Sequence, residues 1–270
     1  MIGGRRIGWV LGSGGARGWA HIGVVRALLA MGVVPDVVVG TSIGALVGAM
    51  VAGGVFEAFL QEVERLDFLR LARLFTEVRV PRHGLLSGQP IVAWLDREDL
   101  LAGRQIEALP IRFAAVATDL YREQAVVLQT GAASQAVRAS ISIPGLFDPV
   151  VREGRALVDG GLCDPVPVAT ARALGADFVI AVDVNSCGGV VAEVEEAPTL
   201  ADTLLQTVRM VENEACRRGL ERAPADFLIS PKTGYLQTLD FQRARVGVAL
   251  GEAAVAEARG ALVQRLEEGR

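Results

Sequence analysis

Ser42 lies in Gly40-Thr41-Ser42-Ile43-Gly44, a Gly-x-Ser-x-Gly pattern that suits a nucleophilic serine on a sharp strand-to-helix turn. A serine hydroxyl needs a neighbouring base to remove its proton. The chain has only two histidines for that task. His21 falls early in a helical pattern, Trp19-Ala20-His21-Ile22-Gly23, where a hydrogen-bonded packing role is commoner than catalysis. His83 falls in the breaker-rich Pro81-Arg82-His83-Gly84, a loop of no predictable position. A carboxylate is the other candidate base. Asp159 ends the strand-like run Arg155-Ala156-Leu157-Val158 and is followed by Gly160-Gly161. A carboxyl group works as a general base when a dry site raises its proton affinity and it touches the serine. An Asp-Gly pair is equally a common turn, and the residues alone leave both readings open.

A third element lies near the N-terminus, where Gly12-Ser13-Gly14-Gly15-Ala16-Arg17-Gly18 follows the strand-like Ile7-Gly8-Trp9-Val10-Leu11 and precedes a helical pattern. Such a loop leaves backbone N–H groups pointing outward, at a helix end that favours negative charge. A cofactor phosphate or the oxyanion of an acyl-transfer intermediate can use that nest. The dinucleotide pattern Gly-x-Gly-x-x-Gly fails here, because Arg17 stands where its last glycine belongs, and no lysine follows in Walker spacing. With a nucleophile elbow after the next strand, the oxyanion is the better fit. Cys163, Cys187 and Cys216 have no zinc-like spacing, so no zinc site is expected.

Taken together and in order, Gly14-Gly15-Ala16-Arg17-Gly18, Gly40-Thr41-Ser42-Ile43-Gly44 and Asp159-Gly160-Gly161 resemble the patatin-like phospholipase family, and most of all its bacterial neuropathy-target-esterase-like branch. Ala139-Ser140-Ile141-Ser142-Ile143-Pro144-Gly145-Leu146-Phe147 is similar to the segment that precedes the family's catalytic aspartate. Val116-Ala117-Thr118-Asp119-Leu120 and Ile180-Ala181-Val182-Asp183-Val184 are similar to its core strands. The resemblance implies a Ser–Asp dyad that hydrolyses lipid acyl esters without metal or cofactor, with Ser42 as nucleophile and Asp159 as base. It implies an oxyanion hole in the loop Gly14, Gly15, Ala16, Arg17 and Gly18, where Arg17 holds the loop or meets the substrate headgroup. Gly40, Gly44, Gly160 and Gly161 shape the elbow and the aspartate turn. Two positions depart from the pattern. Ser13 stands where many members have the first glycine of the loop, a variant the bacterial branch tolerates, and Arg122-Glu123 replaces a frequent turn glycine.

These motifs must be positioned by elements. Apolar β-rich runs near 6–11, 36–40, 110–117, 125–129, 155–158, 177–184 and 226–230 alternate with helical patterns near 18–31, 43–53, 55–73, 89–101, 165–174, 199–219 and 240–266. That alternation predicts an α/β fold with one doubly wound, mostly parallel sheet and helices on both faces, the three-layer α/β/α arrangement that the resemblance also implies. Residues 5–185 are expected to form the catalytic core and 186–270 a helical C-terminal part of the same domain. The irregular stretches 76–90 and 186–199 are expected to be lids or surface loops. Asp119 and Asp183 are expected to cap loops at strand ends, and Ser140 and Ser142 to bond local backbone.

A net charge of −4 argues against nucleic-acid binding, which calls for a basic face. The uncharged stretch Val37 to Phe56 is long enough to span a bilayer, but its five glycines and the serine elbow divide it into a buried strand and a core helix. The partner expected from the resemblance is a lipid or lysophospholipid acyl ester. Phe68, Leu71 and Phe75 fall on one helical side opposite Arg65 and Arg73, a pattern that suits transient contact with an anionic membrane surface and equally a helix packed on its own domain. The unpatterned cysteines suit a reducing cytoplasm, with peripheral contact at the inner membrane face. The sequence does not specify an oligomeric state.

Overall fold

The computed structural model describes residues 4–65, 84–185 and 197–268. In chain order the strands are β1 Ile7–Leu11, β2 Val37–Thr41, β3 Arg112–Asp119, β4 Gln124–Leu128, β5 Val150–Arg152, β6 Arg155–Asp159, β7 Phe178–Val182 and β8 Phe227–Ile229. The helices are α1 Trp19–Ala30, α2 Ile43–Ala52, α3 Phe56–Glu64, α4 Gln89–Leu95, α5 Ala133–Ser140, α6 Val168–Ala173, α7 Leu200–Arg222 and α8 Ala244–Glu267.

The strands form one sheet in the order β5-β6-β3-β2-β1-β7-β8, with β4 on β3. From β3 to β8 the neighbours are parallel; β4, β6 and β5 make the antiparallel pairs. Side chains alternate between two apolar layers, as strand geometry requires. Trp9, Leu11, Val38, Phe113 and Ile180 belong to the core on the side of α1, α2, α5 and α8. Val10, Val37, Val39, Val116 and Val179 belong to the core shared with α6 and α7. A sheet covered on both faces accounts for the continuous apolar runs, and it is the α/β/α arrangement expected from the sequence.

Local chemistry explains the departures from the expected elements. Helix α6 is shorter than the expected 165–174 because Pro165 and Pro167 precede it. Helix α5 is an addition; its buried face includes Ala133, Ala136 and Ala139 beside polar residues, which gives little apolar periodicity. Strand β5 is a second addition, joined to β6 by Glu153 and Gly154, both with positive φ (51° and 70°), the geometry of a tight hairpin turn. Glu123, at the β3–β4 turn, has φ 55°, so a side chain occupies there a conformation that favours glycine. Helix α3 occupies the first part of the expected 55–73. Residues 66–83 and 186–196, and with them His83, Cys187 and most of the proposed membrane-facing segment, lie outside the described residues. Among the described residues no helix is long and apolar enough to cross a membrane.

Candidate active site

Ser42 occupies the turn between β2 and α2 with φ 56° and ψ −125°. For a non-glycine residue such a conformation costs about 1–3 kcal/mol and persists only where its surroundings enforce it. The enforcement is visible. A Cβ on Gly44 would overlap the Leu11 carbonyl, so α2 packs directly on the end of β1. The Ser42 amide donates to Ser140 Oγ at 2.8 Å, and Ser140 Oγ donates in turn to the Val116 carbonyl at 2.5 Å. Ser140 therefore braces the elbow against α5 and β3, a larger task than the local backbone contact expected of it.

Register brings the aspartate to the serine. Along one edge of β3, β2 pairs up to Thr41↔Val116, and β6 takes over at the next rung with Ala117↔Asp159. The end of β2 and the end of β6 thus meet at one point. There Ser42 Oγ donates to Asp159 Oδ2 at 2.6 Å. The other carboxylate oxygen, Oδ1, accepts the Gly161 amide at 2.8 Å, and the Asp159 amide donates to the Ser142 carbonyl at 2.9 Å. A Cβ on Gly160 would overlap the Val116 carbonyl, which explains glycine in that position. Asp159 is fully buried. Burial pushes its carboxyl pKa up, against the opposing pull of the Ser42 and Gly161 hydrogen bonds.

The glycine loop ends beside this pair. The amides of Ala16 and Arg17 are already engaged, by the Thr238 and Gly14 carbonyls at 2.8 and 3.2 Å. Those of Gly14 and Gly15 have no protein acceptor among the described residues, and Gly18 closes the 3₁₀ turn Gly15–Gly18, so Gly14 and Gly15 are the donors the loop leaves open. Arg17 is buried: its Nε donates to Asn185 Oδ1 at 2.9 Å and its Nη1 to the Leu236 carbonyl at 3.3 Å. These bonds tie the glycine loop to Asn185 and Leu236. The Asn185 side chain closes the circuit by donating to the Ser13 carbonyl at 3.1 Å.

Gly15, Ser42 and Asp159 line a cavity of about 10 Å³ together with Ile143, Leu205, Val208, Arg209, Glu212 and Thr238. That is room for a single water and not for an ester. Four of these lining residues belong to α7, beyond the three motifs. Leu205, Val208, Glu212 and Cys216 recur at helical spacing, so Glu212 is a carboxylate on the otherwise apolar stripe of α7; that interruption was its signal in the sequence. Arg209 lines the cavity as well and has no carboxylate partner among the described residues. A larger cavity, of about 950 Å³, lies beside α7 between Leu162, Cys163 and Asp164 on one side and Met210, Val211 and Arg218 on the other; Ser42 does not line it.

The other candidates take structural places. His21 is buried, with Nε2 at 2.8 Å from the Gly12 carbonyl, and burial lowers its pKa to about 4, so a neutral ring fastens α1 to the glycine loop. Asp119 accepts the Tyr121 and Arg122 amides and pairs with the Arg122 guanidinium at 2.8 Å. Asp183 accepts the Asn185 amide at 2.9 Å and the Cys216 thiol at 3.4 Å. Ser142 Oγ donates to the Arg138 carbonyl at 3.0 Å and accepts from the buried Arg138 guanidinium at 2.6 Å. Among the described residues no group of His, Cys, Asp and Glu is disposed to hold a metal ion.

Residues 9–172 match the family model described as patatin-like phospholipase. An uncharacterised NTE family protein of Mycobacterium tuberculosis is 38% identical over 204 residues, which make up 76% of this chain and 56% of that protein. The lysophospholipase nte1 of Emericella nidulans is 35% identical over 192 residues, 68% of this chain and 12% of the fungal protein. The patatin-like phospholipase domain-containing protein 7 of Rattus norvegicus is 34% identical over 191 residues, 69% of this chain and 14% of the rat protein. The chain spans about half the length of the mycobacterial relative and a smaller share of the other two.

Proposed function

The chain belongs to the patatin-like phospholipase family, and on that footing we propose that it hydrolyses lipid acyl esters, of the phospholipid or lysophospholipid type, with Ser42 as nucleophile and Asp159 as base. The hydrogen bond of 2.6 Å between Ser42 Oγ and Asp159 Oδ2 at a strained elbow carries this reading. In the first half-reaction Asp159 takes the Ser42 proton as Oγ bonds to the ester carbonyl carbon. The amides of Gly14 and Gly15 receive the oxyanion; losing one such donor costs about 3 kcal/mol of transition-state stabilisation. The bond to the alcohol oxygen then breaks, and Asp159 returns its proton to that oxygen. In the second half-reaction a water gives its proton to Asp159 and attacks the acyl-enzyme. Fatty acid leaves, and Ser42 recovers the proton.

The water-sized cavity means that an ester reaches Ser42 only when α7 shifts outward. Arg209, facing the cavity, suits a phosphate-bearing substrate. In this reading the enzyme is cytoplasmic and meets its lipid at a membrane surface. The test is hydrolysis of a lysophospholipid by wild type and Asp159→Asn, with products identified by mass spectrometry. Release of free fatty acid that falls by about 10³-fold or more in Asp159→Asn is the expected result. An unchanged rate in that variant would overturn the assignment of the base.

A further inference from the structure

Two buried carboxyl groups share the cavity at Ser42, and the dyad uses one. Glu212 is 8% exposed on α7, and its Oε1 lies 2.2 Å from where a Cβ on Gly161 would stand. Gly161 is the residue whose amide holds Asp159 Oδ1. Glu212 therefore packs against the residue whose amide supports Asp159. Ser13 Oγ, 1% exposed, reaches the same spot: it lies 3.0 Å from that Cβ position, beside the Glu212 carboxyl.

The charges facing Glu212 come from three directions. Asp159 at the end of β6 and Asp183 beyond β7 disfavour its ionised form; Arg17, from the glycine loop, favours it, and Ser13 adds to that pull. Arg209, on the same helix, faces the dyad cavity. Burial is the largest influence and disfavours the ionised form of both groups, but Asp159 accepts a hydrogen bond on each of its oxygens, from Ser42 Oγ and from the Gly161 amide, and these favour its carboxylate. Two carboxylates in one dry cavity do not both ionise readily; one retains a proton.

We propose that Glu212 is a positioning residue: its protonated carboxyl seats α7 against Gly161 and leaves Asp159 as the one ionised carboxylate able to take the Ser42 proton. The proposal rests on the dyad reading above. Ionising Glu212 adds a second negative charge beside the forming oxyanion and loosens the seat of α7. Activity accordingly rises as Asp159 ionises and falls again at higher pH, as Glu212 ionises.

The experiment measures the rate of Ser42 labelling by an uncharged alkyl fluorophosphonate against pH, by intact mass, in wild type and Glu212→Gln. Circular dichroism restricts the comparison to the range in which both are folded. In wild type the rate passes through a maximum and then falls about tenfold per pH unit. In Glu212→Gln, each profile normalised to its own maximum, the rise remains and the fall is absent. An alkaline fall that persists in Glu212→Gln, or a wild type without one, overturns the proposal while labelling itself leaves the dyad intact. A wild type that never labels overturns the dyad reading and this proposal with it. A second readout needs no variant: wild type at neutral pH shows a protonated-carboxyl stretching band in the infrared that disappears over the range where labelling falls. Its absence at neutral pH overturns the proposal.

Discussion

At the scale of single residues, the site is an arrangement of buried polar atoms whose partners decide their protonation. His21 shows this most simply. An unfolded histidine titrates near 6.5, whereas the buried ring titrates at about 4, so the unfolded chain binds more protons between those values. The folded chain is therefore stabilised in full above pH 6.5 and loses that stability as pH falls towards 4. Glutamine in place of His21 keeps an N–H donor for the Gly12 carbonyl and does not titrate. The stability of wild type relative to His21→Gln is expected to drop by about 3 kcal/mol between pH 7 and pH 4, read from urea denaturation at each pH. A constant difference would mean that the ring is not buried neutral. The two residues that meet were singled out in the sequence by different routes: Ser42 by its flanking glycines, and Asp159, which the residues alone left open as an Asp-Gly turn, by the family resemblance. Ser140 was seen but given only a local bond, because nothing in its neighbourhood announces a partner as distant in sequence as the Ser42 amide.

At the scale of elements, the meeting of Ser42 and Asp159 is a product of register. Strand β2 stops at Val116 and β6 begins at Ala117 on the same edge of β3, so two residues 117 positions apart arrive within hydrogen-bond distance. Sequence periodicity locates strands but does not say which edge a returning strand takes, and β6 gave no sign that it runs antiparallel to β3. Helix α7 was also expected as a helix, but not its place over the serine, since a helix pattern gives a buried stripe without naming what the stripe covers. The stripe has a kinetic consequence. Leu205 helps to reduce the cavity to the size of one water. Leu205→Ala is expected to quicken fluorophosphonate labelling of Ser42 several-fold by easing access, while thermal stability falls because a partly buried apolar side chain is lost. Slower labelling in a folded Leu205→Ala protein would show that the helix orders the site without obstructing it.

At the scale of the whole molecule, the doubly wound sheet gathers the glycine loop, the elbow and the aspartate turn at the ends of β1, β2 and β6, the region where open α/β sheets bind their ligands. The later part of the chain completes the arrangement. Thr238 and Leu236 hold the glycine loop through Ala16 and Arg17, and α7 roofs the serine. These contributions lie beyond residue 172, where the family match ends, and motif reading gave them no role because they act through backbone carbonyls and through the side-chain pattern of a single helix. The central claim is that Ser42, activated by Asp159, is the nucleophile. Intact-mass analysis after reaction with an alkyl fluorophosphonate tests it most directly. Wild type is expected to gain one phosphonyl adduct that maps to Ser42, with no adduct on Ser42→Ala and a much slower reaction for Asp159→Asn. An adduct that survives Ser42→Ala, or a folded Asp159→Asn that labels at the wild-type rate, would contradict it.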